Sequence, residues 1–381
     1  SSAEAEGAGM TGRDNPIGRR RLLMTLDAVG GIWRYALDLA SGLRSDGVDV
    51  VFAGLGLKPS VEQTREAEAL GKLVWLDTPL DWMAEDEAAL RPVPDLIANL
   101  AEREGIDLIH LNLPSQAAGL AIEIPVVVVS HSCVVTWFAA VRGHAVPDDW
   151  QWQFRLNRQG FDRADAVLAP SRSHAASLQK AYGPISGLQV VRNASLVEHP
   201  RGPKEDFVFA AGRWWDDGKN GAVLDAAAKH VDWPVVMAGA NRGPNGQYLP
   251  LENVQWRGEL SHDETMMLMG RAAIVASPSV YEPFGLAALE AARSRSALVL
   301  ADIPTYRELW DRAALFADPH DPQAFARAIN RLSRDRRLRE ELAEAALSRA
   351  RHYTPDAQVA AVLQIYDRLL PANHHARTAA E

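Results

Sequence analysis

Two carboxylates, Glu282 and Glu290, stand eight positions apart in the run Ser277-Pro278-Ser279-Val280-Tyr281-Glu282-Pro283-Phe284-Gly285-Leu286-Ala287-Ala288-Leu289-Glu290-Ala291-Ala292. An apolar strand from Ala273 to Ala276 leads into this polar turn. Pro283 then sits where a helix would begin, since its missing N–H would be unpaired in a first turn anyway. A strand that opens into a helix N-terminus is a ready anion site, because free N–H groups and the dipole face outward there. If the segment is helical throughout, eight rises of roughly 1.5 Å separate the carboxylates by about 12 Å. Carboxylates acting on one glycosidic bond lie about 5–9.5 Å apart, so the longer span suits two contacts at opposite ends of an extended ligand. Taken alone, the spacing fits a capping Glu282 and a solvated Glu290 equally well.

Three further constellations bear on this. Asp27-Ala28-Val29-Gly30-Gly31-Ile32 places two glycines between a first strand and a first helix. There the backbone can approach a phosphate or sugar closely, although a tight turn with no ligand has the same look. The run is not a G-x-G-x-x-G, so a dinucleotide fingerprint is not supported. Ser130-His131-Ser132-Cys133 follows a Val-rich strand; His131 suits a general base, a partner of a sugar hydroxyl or a satisfied loop histidine. Cys133 reads as a small buried hydrophobe rather than a nucleophile. In Gly212-Arg213-Trp214-Trp215-Asp216-Asp217-Gly218-Lys219-Asn220, an Arg fork and a Lys point charge together match a diphosphate. Asp216-Asp217 reads as two turn aspartates rather than a metal site.

Glu282 to Glu290 resembles the E-x7-E signature of retaining glycosyltransferases of the GT-B fold, family 4 (glycosyl transferases group 1). The resemblance extends over roughly 21–370. Arg213 and Lys219 resemble the family's Gly-Arg…Lys pair, although the step of six positions between them is one longer than usual and leaves the register of Lys219 open. Ala164-Asp165-Ala166-Val167-Leu168-Ala169-Pro170-Ser171 resembles the family's strand near the end of the first domain. Val190-Val191-Arg192-Asn193-Ala194 resembles its hinge, with Ala194 in place of a glycine. What the resemblance implies is a set of roles. Glu282 and the Phe284, Gly285 and Leu286 backbone would hold the donor sugar, with His131 at another face. Glu290 would bind the ribose, Arg213 and Lys219 the diphosphate, and Arg257 would stack on the base. Gly30 and Gly31 would face the donor phosphates and the acceptor. The implied reaction moves a hexose from a nucleoside-diphosphate sugar, a UDP-sugar ahead of GDP-mannose, to an acceptor hydroxyl with retention. No metal or cofactor is expected, and no covalent enzyme intermediate.

The elements that must carry these residues fall into two series. Near-continuous apolar runs at Arg21–Leu26, Val48–Leu55, Leu73–Leu76, Leu108–Leu111, Val126–Val129 and Ala166–Leu168 predict strands buried on both faces of a parallel sheet. Helical stripes, such as Ile32, Tyr35, Ala36, Leu39 and Leu43, lie between them. The pattern restarts at Phe207–Ala211, Val235–Ala238, Val254–Trp256, Ile274–Ala276, Leu298–Ala301 and Leu315–Ala317. Two doubly wound, Rossmann-like α/β domains facing a cleft follow, with ligands at the carboxyl ends of the strands. The expected division is a disordered or vector-derived tail at 1–18, a first, acceptor-side domain at 19–197, and a linker at 198–206. A nucleotide-sugar domain then takes 207–354, a helix crossing back to the first domain 355–372, and a frayed tail with His374-His375 the rest (373–381).

Composition narrows the class. In 381 residues, 47% are apolar and 23% charged, which is globular and ample for two cores. A net charge of −9 argues against a nucleic-acid binder. The single cysteine excludes an internal disulfide and favours a reducing cytoplasm. No run approaches the ~18–20 apolar residues of a membrane span, although Arg19-Arg20-Arg21 leaves peripheral contact with an inner membrane face open. Trp137, Arg142 and His144 are the acceptor-side candidates; they suit a sugar ring, a membrane patch or an ordinary helix core alike. The acceptor class stays open between glycan, lipid-linked saccharide and small metabolite, as does the oligomeric state. An epimerase or phosphorylase on the same scaffold is the alternative enzyme, and a two-lobed sugar-binding protein the non-enzyme reading.

Overall fold

The computed structural model describes residues 19–196 and 202–370. The expected tails, His374-His375 and residues 198–201 of the expected linker lie outside them. Seven strands form the first sheet: β1 (Arg20–Asp27), β2 (Val48–Leu55), β3 (Lys72–Trp75), β4 (Leu108–Leu111), β5 (Val126–Val129), β6 (Ala166–Ala169) and β7 (Leu188–Val190). Their order is β3-β2-β1-β4-β5-β6-β7, and every pairing is parallel. The second sheet holds β8 (Glu205–Ala211), β9 (Val235–Ala238), β10 (Gln255–Trp256), β11 (Ala272–Ser277), β12 (Ala297–Ala301) and β13 (Leu315–Ala317). It is again wholly parallel, in the order β10-β9-β8-β11-β12-β13. Central strands such as β5 and β12 are buried at every residue, which is why they read as unbroken Val/Leu runs.

Three expectations need correction. The helix after β11 runs Leu286–Arg293 and does not begin at Pro283; Gly285 caps it with a left-handed φ of 86°. Such a φ favours a residue without Cβ, and a Cβ at Gly285 would also sit 2.7 Å from Tyr306 Cε1. Glu282 therefore lies in a loop, and the 12 Å helical ruler fails over its first steps. Glu205 and Asp206 belong to β8, not to a linker. The short, half-buried edge strand β7 was not expected.

Each sheet changes winding direction once, between β1 and β4 in the first and between β8 and β11 in the second. Crevices at these switch points are where open α/β sheets take ligands. The closing helix, Pro355–Leu369, packs on the first helix, Gly31–Ser45. Val359, Val362, Ile365 and Tyr366 join Leu22, Met24, Leu39 and Leu43 in one buried cluster. Gly42 makes the close approach possible: a Cβ there would lie 2.4 Å from Val359 Cγ2.

Candidate active site

At the second switch point β8 ends in the Gly212–Asn220 loop. Trp214 is buried beneath it and donates from Nε1 to the Ala238 carbonyl at 2.8 Å, fixing the loop to the sheet. Arg213 is left pointing outward, its guanidinium 5.6 Å from the Trp215 ring centre and 3.8 Å from Asp216 Oδ2. Lys219 instead pairs with Glu282, whose Oε1 also accepts from Ser279 Oγ at 3.1 Å. The longer Arg-to-Lys step thus still brings Lys219 onto the Glu282 loop. Asn220, left-handed at φ 57°, donates to the carbonyls of Pro278 and Pro319 at 2.9 and 2.7 Å, and Val280 N–H donates to Gly218 O at 3.0 Å. The two loops are one hydrogen-bonded unit, with an outward cation and a paired Lys–Glu.

Phe284 is buried and packs edge-on to Tyr353 at 5.8 Å, so only its backbone is available to a ligand. Glu290 lies in the second turn of its helix with no side-chain partner among the described residues. Burial pushes its carboxyl up to about 7. Arg257 is exposed after β10, where its N–H donates to Met237 O at 2.9 Å and its side chain stands free among the described residues.

The first switch point holds the remaining pieces. Gly30 has φ 95°, and a Cβ on either Gly30 or Gly31 would meet nothing within 4 Å, so the turn borders open space. Asp27, at the tip of β1, accepts from Val29 N–H at 2.9 Å; burial raises its carboxyl to about 6, and nearby Asp81 adds to the rise. His131 follows β5, with Nε2 2.8 Å from Asn112 Oδ1 and the Tyr35 ring edge-on at 4.3 Å. Burial, with His110 and His174 nearby, drops its pKa to about 3, so the imidazole is neutral. Cys133 is buried against the Tyr182 hydroxyl, and burial raises its thiol, in keeping with an inert side chain.

The acceptor-side candidates are not gathered around an open site. Trp137 donates from Nε1 to Asp216 Oδ1 at 3.0 Å, and Arg142 pairs with Asp217 at 2.5 Å while lying 5.0 Å over the Trp137 ring. Both side chains join the helix Val134–Val141 of the first domain to the Arg213–Lys219 loop of the second. Asp216 and Asp217 thereby gain partners across the cleft that a sequence of turn aspartates does not disclose. His144 is exposed and bonds the carbonyl of its neighbour Ala145. Tyr281, unmarked by any sequence pattern, reaches across as well: its hydroxyl accepts from Cys133 N–H at 2.9 Å and bonds Thr136 Oγ1 at 2.9 Å. A recess of about 310 Å³ opens at the carboxyl end of the first sheet, lined by Leu55, Leu80, Asp81, Leu90, Ser115 and Gln116. Among the described residues no group of three His, Cys, Asp or Glu side chains is placed to hold a metal ion.

Two doubly wound domains with cation, carboxylate and glycine loops at facing switch points define a GT-B glycosyltransferase. The family models agree: Glycosyltransferase Family 4 matches 29–194 and Glycosyl transferases group 1 matches 198–349. The chain belongs to glycosyltransferase family 4, group 1. A curated relative, D-inositol 3-phosphate glycosyltransferase of Salinispora arenicola, is 32% identical over 208 residues, 53% of this chain and 43% of its own. The match therefore spans less than half the length of that relative. Sucrose-phosphate synthase from Thermosynechococcus elongatus has a similar fold, with TM-score 0.77 and 17% identity over 92% of this chain and 99% of its own. Anabaena Alr3699/HepE, solved in complex with UDP and glucose, aligns with TM-score 0.74 and 16% identity over 92% of this chain and all of its own.

Proposed function

We propose that the enzyme transfers a hexose from a nucleoside-diphosphate sugar, with UDP as the favoured nucleotide, to an acceptor hydroxyl with retention at the anomeric carbon. The observation that carries this reading is the Tyr281–Cys133 hydrogen bond. It ties the residue beside Glu282 to the residue two beyond His131, across the two domains, which supports a shared role for the histidine and the carboxylate. The hard step is loss of a diphosphate while positive charge grows on the sugar, and preorganised cations at the leaving group lower that barrier. Arg213, exposed and only loosely paired with Asp216, would turn to the phosphates, and Lys219 needs only to share its contact with Glu282. A ribose on Glu290 would give that carboxyl the hydroxyl donors it lacks. The UDP seen in the Anabaena structure supports the choice of nucleotide. The recess around Asp81 and Gln116 takes over from Trp137, Arg142 and His144 as the acceptor side, since the first two hold the domains together. Its size and mixture of leucines and hydrogen-bonding groups suit a small hydroxylated acceptor. A screen scoring nucleotide release with UDP-glucose, UDP-galactose, UDP-GlcNAc and GDP-mannose tests the donor, and the anomeric NMR signal of the product tests retention. No release with any of the four, across glycan and polyol acceptors, would overturn the proposal.

A further inference from the structure

Asn112 and Thr25 decide which nitrogen of His131 carries its proton. Asn112 Nδ2 lies 2.6 Å from the Thr25 carbonyl, which can only accept, so that end of the amide must be the NH₂. Asn112 Oδ1 is then an acceptor, and the His131 Nε2 that stands 2.8 Å from it must donate. The amide cannot flip to reverse this, because its oxygen would then face the Thr25 carbonyl oxygen at 2.6 Å. Asn112 N–H donates to Thr25 Oγ1 at 2.8 Å, and Thr25 Oγ1 donates onward to Gln116 Oε1 at 2.7 Å. His131 Nδ1 therefore keeps its lone pair; among the described residues it has no partner and is not one of the buried atoms left unsatisfied. The groups around the ring add no charge: Tyr35 from the first helix meets it edge-on, and His110 of β4 and His174 of the helix Arg172–Tyr182 are held neutral by burial.

We infer that Asn112 is a positioning residue that fixes His131 as the Nε2–H tautomer, so that Nδ1 accepts a hydrogen bond from a hydroxyl of the donor sugar. The sugar contact rests on the proposed function; the tautomer does not. The test is long-range ¹H–¹⁵N NMR on the full chain labelled with [¹⁵N]histidine, with His131 assigned by its loss in His131→Gln. The expected spectrum shows a protonated Nε2 and an unprotonated Nδ1. The Nδ1 signal should move on adding whichever of UDP-glucose, UDP-galactose, UDP-GlcNAc or GDP-mannose binds by calorimetry, but not with the bare nucleotide. Asn112→Leu should lose the tautomer preference and lower kcat/KM for the donor at least about tenfold while leaving nucleotide affinity in place. A protonated Nδ1 in the wild type, or an unchanged tautomer in a folded Asn112 variant, overturns the inference. A nucleotide sugar that binds without moving Nδ1 overturns the sugar contact alone. No binding of any nucleotide sugar overturns the functional reading, and the sugar contact with it.

Discussion

Glu290 carries the sharpest expectation at the level of a single residue. Burial lifts its carboxyl from 4.5 to about 7 and no described side chain offsets that. Between those two values the folded state holds a proton that the unfolded chain has released. Its contribution to stability is thus complete below about 4.5 and is lost as pH rises through about 7. Asp27, raised from 3.8 to about 6, acts in the same sense over a lower window. Thermal melts from pH 5 to 8 should show wild type losing stability relative to Glu290→Gln as pH rises; parallel curves would mean the carboxyl is solvated. Nucleotide affinity should rise over the same interval, because the carboxylate is the better acceptor for ribose hydroxyls. In Glu290→Ala, affinity should fall several-fold at pH 8 with the fold intact, and calorimetry with UDP reads this directly. Arg213→Ala should lower kcat/KM at least about tenfold, roughly 1.4 kcal/mol, if the cation bears leaving-group charge. An unchanged rate would make Arg213 structural.

Among the elements, the helix Val134–Val141 acts beyond its own domain. Trp137→Phe removes one hydrogen bond to the Asp216 carboxylate, an interaction of about 1.5–3 kcal/mol when the acceptor is charged. The Arg213–Lys219 loop should then be less well held, and donor KM should rise several-fold with kcat nearly unchanged. Arg142→Ala should do less, since its pair with Asp217 is largely exposed. Steady-state kinetics on both variants separate the two, and equal effects would sink the distinction. These contacts also mark the limit of what the sequence discloses. Strands such as β5 and β12 announce themselves by unbroken burial, and Arg213, Lys219, Glu282 and His131 stand at strand ends where switch-point chemistry belongs. Asn112 stands at such an end too, after β4, and that position was its available signal. Trp137, Asp216 and Tyr281 gain their roles only from a neighbouring domain far along the chain, and no local pattern encodes that. Pro283 suits a first turn and so points to a helix start there, while the left-handed Gly285 two residues on sets the actual boundary.

For the molecule as a whole, the closing helix is the decisive element. Val362 is fully buried against the first domain, so Val362→Ala should remove about 2 kcal/mol from that domain. Differential scanning calorimetry should show a transition lowered by several degrees, with nucleotide affinity retained in the folded enzyme. A transition that does not move would mean the helix is only loosely docked. The same packing sets an order of events during synthesis. The first domain emerges from the ribosome with Leu39, Leu43 and their neighbours uncovered, and the residues that cover them come after the whole second domain. For the time needed to translate more than 150 intervening residues, it carries an open apolar face on a folding sheet. Ribosome-bound chains stalled before residue 355 should therefore be the species that chaperones hold longest.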